Sequence, residues 1–117
     1  MLCLITGGSR GLGAETARQL TKAGHDVVLV AKDADRLRAT AAAVGARGSV
    51  VADLEHNTDV RRVVAEVREQ YGIPDVLMLA HGVMSGKMTK TLRTDDAEWR
   101  RVMSINLDAV FSLLQGF

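Results

Sequence analysis

Short, wholly apolar runs alternate along the chain with longer stretches whose apolar positions recur at helical spacing. Leu2-Cys3-Leu4-Ile5 predicts a strand, Thr6 to Gly13 a glycine-rich turn, and Ala14 to Ala23 a helix. Leu12, Thr16, Ala17 and Leu20 form that helix's stripe, and Gly24 ends it. Asp26-Val27-Val28-Leu29-Val30-Ala31 predicts a second strand. Leu37, Thr40, Ala41 and Val44 mark a second helix that stops at Gly45, and Ser49-Val50-Val51-Ala52 a third strand. Asn57 or Thr58 is placed to cap a third helix with the stripe Val60, Val63, Val64, Val67 and Tyr71, ended by Gly72 and Pro74. Val76 to Ala80 predicts a fourth strand, residues 81–94 a polar loop, and Asp95 the start of a last helix with Glu98 as capping-box partner.

Strands that are apolar throughout, rather than alternating, fit a sheet covered on both faces. Alternating strands and helices with short connections imply right-handed parallel crossovers. The pattern therefore predicts an α/β fold, a Rossmann-like doubly wound parallel sheet of about four strands. It occupies residues 1–117 as a single domain, without internal repeat or linker.

Composition narrows the function. The chain is 47% hydrophobic and 25% charged, and 15 basic against 14 acidic residues leave a formal net charge of +1. That balance supports neither nucleic acid nor an anionic membrane as a partner. No apolar run is long enough to span a bilayer, and the N-terminus lacks the basic region of a signal peptide. The single cysteine, Cys3, lies in the first predicted strand as a small core residue. The simplest expectation is a soluble cytoplasmic protein.

The turn Thr6-Gly7-Gly8-Ser9-Arg10-Gly11-Leu12-Gly13 carries the chemistry. Glycines let a backbone bend sharply and approach a ligand, and a helix start offers free N–H groups and a positive dipole end to a phosphate. No Lys-Ser/Thr pair follows the last glycine, which argues against a nucleoside-triphosphate P-loop. The second strand ends in Ala31-Lys32, where an acidic residue would bind a free ribose 2′-hydroxyl. Lys32 and Arg10 instead place positive charge where a 2′-phosphate would lie, favouring NADP(H) over NAD(H), although Asp33 follows at once. The same Ala31-Lys32 argues against a methyltransferase. Asp53, just past the third strand, is placed either to accept the adenine amino group or to form a turn.

In the last helix, Trp99, Val102, Met103, Asn106, Val110, Leu113 and Phe117 form one stripe. A buried amide at Asn106 needs partners: it ties the helix to a neighbouring backbone or holds water in a proton path. Ile105, Leu107, Phe111 and Leu114 make the far side apolar as well, as in a helix that is buried or at an interface. His81 follows the fourth strand near the ligand crevice; a lone histidine is more often structural, and no second ligand at metal spacing accompanies it.

Taken together, the motifs resemble the N-terminal half of the short-chain dehydrogenase/reductases. The matching pieces are the Thr6–Gly13 turn, Asp53-Leu54, Asp75-Val76-Leu77 leading to Gly82, and Trp99 with Ser104-Ile105-Asn106-Leu107. The resemblance implies an NAD(P)-dependent oxidoreductase that interconverts a small-molecule alcohol and carbonyl. It implies that Gly7, Ser9, Arg10, Gly11, Leu12 and Gly13 hold the pyrophosphate and adenosine ribose. Arg10 and Lys32 would meet the 2′-phosphate, Asp53 and Leu54 the adenine, and Ala80 and Gly82 the nicotinamide ribose. Asn106 would be the catalytic-helix asparagine that anchors a water in the proton relay.

Two departures qualify the match. The family's Asn-Asn-Ala-Gly reads Leu79-Ala80-His81-Gly82, so both asparagines are lost and His81 is a candidate to supply one of their hydrogen bonds. The family's catalytic serine and Tyr-x-x-x-Lys are also missing: the only tyrosine, Tyr71, is followed four residues on by Asp75. A fourth strand left as an open apolar edge, and a last helix with apolar surface to spare, point to a fragment of a protein roughly twice this length. In the complete protein that helix would serve as a homo-oligomer interface. The alternative is a non-catalytic nucleotide-binding or regulatory module that uses its open edge to pair with a partner.

Overall fold

The computed structural model describes residues 1–86 and 90–117; the part of the expected 81–94 loop at 87–89 lies outside the described residues. Four parallel strands, β1 (Leu2–Thr6), β2 (Asp26–Ala31), β3 (Gly48–Val51) and β4 (Val76–Leu79), pair in the order β3-β2-β1-β4. The chain winds outward from β1 to β3, then returns to the other side of β1 for β4. The order thus reverses between β1 and β4, and a crevice opens beyond the carboxyl ends of these strands.

Alternation within the strands explains the two layers. Leu2, Leu4, Val28, Val30 and Val50 face α3 (Asn57–Gln70) and the C-terminal helix, meeting Val60, Val63, Val67, Ala109 and Leu113. Cys3, Ile5, Val27 and Leu29 face the other way, onto Ala17 of α1 (Gly11–Lys22) and Leu37 of α2 (Ala34–Val44). β1 is buried along its whole length, so truncating a central side chain such as Leu4 to alanine costs about 2–5 kcal/mol. Register is pinned where β1 and β4 begin: the Leu2 N–H donates to the Asp75 carboxylate (2.7 Å), and the Asp75 N–H donates to the Leu2 carbonyl (2.8 Å). β4 closes the sheet on one side, with only β1 as a strand neighbour among the described residues.

The helix ends follow the expected signals in most places. α1 and α2 stop at Gly24 and Gly45, both with positive φ. Asp95 caps α4 (Asp96–Met103), accepting from the Glu98 N–H at 2.8 Å. The Glu98 carboxylate turns instead to Arg101 and to the Gly86 N–H.

Several expectations need correction. α1 begins at Gly11 rather than Ala14, and Leu12 is 80% exposed rather than part of the core stripe, because the first turn stands beyond the end of the sheet. The residue capping α3 is His56, without a side-chain cap bond, not Asn57 or Thr58. The Asp59 carboxylate in the first turn reaches back to the Asp53 N–H (2.8 Å), and Asn57 is used by Ser112 from the C-terminal helix.

The largest departure is in the last helix. It is interrupted by a π-turn, Ser104–Asp108, before continuing as α5 (Ala109–Gly116). A π-turn carries an extra residue per turn and so rotates everything that follows. The single stripe drawn through Trp99, Asn106 and Leu113 is thereby broken. Ala109 and Leu113 are buried, whereas Trp99 is 60% exposed and Asn106 is exposed as well. Leu107, Phe111 and Leu114 face outward.

Candidate functional site

The cleft at the carboxyl ends of the strands is built first by close backbone approach. Gly7 has φ 67°, and a Cβ there would lie 2.8 Å from the Ala80 carbonyl and the His81 nitrogen. Gly13, in the first turn of α1, packs so closely that a Cβ would collide with the Gly7 carbonyl oxygen. Only glycine fits at either position. The turn is tied down by the Gly8 N–H to the Val30 carbonyl (3.1 Å) and by the Thr40 hydroxyl to the Ser9 carbonyl (2.7 Å). Arg10 precedes α1 with extended backbone (φ −160°, ψ 174°) and makes no side-chain cap bond. The start of α1 thus has no side-chain cap on its first N–H groups.

These walls enclose about 750 Å³, within the usual range of roughly 300–1,000 Å³ for small-ligand sites. Gly7, Ser9, Arg10, Gly11, Leu12, Gly13, Lys32, Asp53, Leu54, Ala80 and Gly82 all line it. Leu12, excluded from the core, borders this cleft instead. Asn106 is not a lining residue, although its neighbour Ile105 is.

Charge is concentrated at one end. Arg10, Lys32 and Arg36 all line the cleft there. Asp33, which blurred the sequence signal, is committed as the cap of α2: it accepts from the Arg36 N–H at 3.0 Å and faces the Arg36 guanidinium at 3.9 Å. Asp53 forms a turn, accepting from the Glu55 N–H (3.1 Å), and its other oxygen lies 3.3 Å from the Lys32 ammonium and 3.7 Å from His56. Asp53, Glu55 and His56 bring ligand-type atoms within 4.8 Å of one another. The turn bond and these ionic contacts account for both Asp53 oxygens.

At the other end, the segment after β4 is held by the π-turn. The Asn106 side chain accepts from the Val83 N–H and donates to the Val83 carbonyl, both at 2.8 Å. Of the two roles weighed for this amide, the tie to a neighbouring backbone is the one found. The His81 ring lies 2.6 Å from the Thr6 hydroxyl through Nδ1 and 2.9 Å from the Ile105 carbonyl through Nε2. Burial pushes its pKa below the ordinary histidine value, outweighing the Ile105 carbonyl, which draws it up.

Arg36, Val83 and Ile105 were missed by sequence reasoning. Arg36 had a signal, since it stands in the first turn of the helix that follows Lys32. Val83 and Ile105 had none, because their places depend on the π-turn.

A parallel sheet in this order, with a glycine turn between β1 and α1, defines a Rossmann-like α/β fold. More narrowly, the chain belongs to the short chain dehydrogenase family, whose model matches residues 2–117. It is 30% identical to galactitol 2-dehydrogenase (L-tagatose-forming) of Cereibacter sphaeroides over 97% of this chain and 44% of that protein. Among solved structures, a metagenomic short-chain oxidoreductase in complex with NADP superposes with a TM-score of 0.91 at 34% identity, over 100% of this chain and 54% of the other. L-Sorbose reductase from Gluconobacter frateurii, complexed with NADPH and L-sorbose, superposes with a TM-score of 0.88 at 29% identity, over 99% and 45%. The chain thus spans about half the length of the relatives it matches. Among the described residues, no helix is long and apolar enough to cross a membrane.

Proposed function

We propose that residues 1–117 form one NAD(P)-binding unit, the cofactor-binding half of an NADP(H)-dependent oxidoreductase. The complete protein would transfer hydride between the nicotinamide and a small alcohol or carbonyl substrate. The observation that carries this reading is the cleft itself: a cradle that any Cβ would fill, at a helix start without a side-chain cap, with three cationic side chains at one end.

In this reading Gly7, Ser9, Gly11, Leu12 and Gly13 receive the pyrophosphate and adenosine ribose. Arg10, Lys32 and Arg36 surround the 2′-phosphate, and Lys32 exchanges its Asp53 partner for it. Asp53 and Leu54 meet the adenine, and Ala80 and Gly82 pass the nicotinamide ribose. The bound dinucleotide supplies the hydride; the residues of this chain bind it, orient it and exclude water. Asn106 acts as a positioning residue, its amide holding the segment after β4 through Val83.

The proton donor is not in this chain, which has no Tyr-x-x-x-Lys. The 117 residues therefore bind cofactor without turning over a carbonyl. The outward row Leu107, Phe111 and Leu114 supports self-association of the complete protein through this helix.

Fluorescence titration tests the reading. NADPH should bind more tightly than NADH, and carbonyl substrates should produce no NADPH oxidation. Tighter NADH binding would overturn the preference, and carbonyl-dependent oxidation would overturn the division of labour.

A further inference from the structure

His81 makes a connection that neither the glycine turn nor the Asn106 clamp accounts for. A carbonyl oxygen only accepts, so the 2.9 Å contact to Ile105 requires the proton on Nε2. The Thr6 hydroxyl, fully buried, lies 2.6 Å from Nδ1 and 3.5 Å from the Met78 carbonyl, so its one proton goes to the much closer Nδ1 as acceptor. The ring is thus a neutral imidazole with both nitrogens engaged.

The Ile105 carbonyl is available for a physical reason. In a regular α-helix it would accept from the Ala109 N–H, but the π-turn sends that N–H to the Ser104 carbonyl. A carbonyl that loses its regular helical donor in this way can take another, and the His81 ring supplies one. The ring therefore spans from the end of β1 to the one irregular turn of the last helix. The Ala80–His81 peptide it holds is the backbone against which Gly7 packs. One residue pair further on, Asn106 fixes Val83.

We propose that His81 is a positioning residue: its imidazole, spanning the Thr6 hydroxyl and the Ile105 carbonyl, sets the Ala80–Val83 wall on which the nicotinamide end of the cofactor rests. This deepens, and rests on, the cofactor reading above. It separates the two ends of the cleft. Losing the ring should loosen contacts at the nicotinamide end while leaving the glycine turn and the Arg10–Lys32 end in place.

Two measurements test it. Long-range proton–nitrogen correlation spectra of the unmodified chain should show His81 as the Nε2–H tautomer; the Nδ1–H tautomer, or a fast average of the two, would refute the bridge. Titrations of wild type, His81→Ala and His81→Gln with NADPH and with adenosine 2′,5′-bisphosphate, which lacks the nicotinamide, read the positioning. His81→Ala should weaken NADPH roughly tenfold, the scale of a lost buried hydrogen bond, and change the bisphosphate by less than about twofold. His81→Gln, which keeps a donor and an acceptor, should recover most of the NADPH affinity. Equal loss on both probes would reduce His81 to a general structural role, and no loss on NADPH would leave it without a positioning one. If wild type binds neither probe, the cofactor reading fails and takes this one with it, whereas the tautomer result judges the bridge alone.

Discussion

Replacing Gly13 with alanine sets two physical effects against each other. Gly13 lies in the first turn of α1 and has no positive φ. On helix propensity alone, alanine should stabilise the helix by about 1 kcal/mol. The structure reverses the sign. The new methyl would collide with the Gly7 carbonyl oxygen and sit 2.9 Å from the Gly7 carbonyl carbon and 3.1 Å from the Gly8 Cα. All of these are backbone atoms of the turn, so no side chain can rotate away and the turn itself must move. Overpacking of this kind costs about 1–3 kcal/mol. Net of propensity, the melting temperature should fall by up to about 10 °C for a chain of this size. Because the displaced atoms form the proposed phosphate cradle, NADPH affinity should fall by at least about tenfold, the loss of one or more charge-assisted contacts.

Gly24→Ala is the control. Its φ is 87° and a Cβ there meets nothing within 4 Å. It should cost about 1–2 kcal/mol of left-handed strain and leave NADPH binding unchanged. Thermal melts followed by circular dichroism, paired with NADPH titrations, measure both quantities. A Gly13→Ala protein that melts at or above the wild-type temperature and binds NADPH normally would refute the close-approach argument.

Other outcomes follow from the same site. Lys32→Glu should cut NADPH affinity by about ten- to a hundredfold and bring NADH to parity or better, since a carboxylate repels the 2′-phosphate and accepts from a free ribose hydroxyl; competition titrations read the ratio. Because burial depresses the His81 pKa, the folded state favours the neutral ring. That stabilisation is complete above the ordinary value of about 6.5 and is lost as pH falls through it toward the lower folded value; denaturant melts should show this slope in wild type and not in His81→Gln. The Glu98 carboxyl is lowered to about 2, chiefly by Arg101 and then by the Gly86 N–H. A carbon-13 titration should therefore find it still ionised at about pH 4, near the ordinary glutamate value, and a midpoint at that ordinary value would contradict the Glu98–Arg101–Gly86 arrangement.

The sheet was legible because its strands are apolar throughout: β2 occupies the predicted residues, and the other strands differ by a residue or so at their ends. The glycine turn was legible because glycine has few other reasons to recur between a strand and a helix. What the sequence hid was phase. A uniform helical period through the last helix put Trp99 and Asn106 in one stripe with Leu113, and the π-turn between Trp99 and Leu113 breaks that phase, so Leu113 is buried while Trp99 and Asn106 are exposed. Nothing in Ser104-Ile105-Asn106-Leu107-Asp108 marks such a turn by propensity. It shows only in three dimensions, where the released Ile105 carbonyl finds His81 and the Asn106 amide finds Val83. Asp53 was ambiguous for a different reason: it forms the turn and also lines the cleft, so the two readings did not exclude each other.

The central claim is that one cleft, reaching from the Arg10–Lys32 end to the Ala80–Val83 wall, receives a phosphorylated dinucleotide. Amide chemical-shift mapping of the chain with added NADPH tests it most directly. The account requires shifts at Gly7, Arg10, Gly11, Gly13, Lys32 and Asp53 together with Ala80, Gly82 and Val83, saturating at one common concentration. Shifts gathered instead along the Leu107–Leu114 face, or none at the glycine turn, would contradict it.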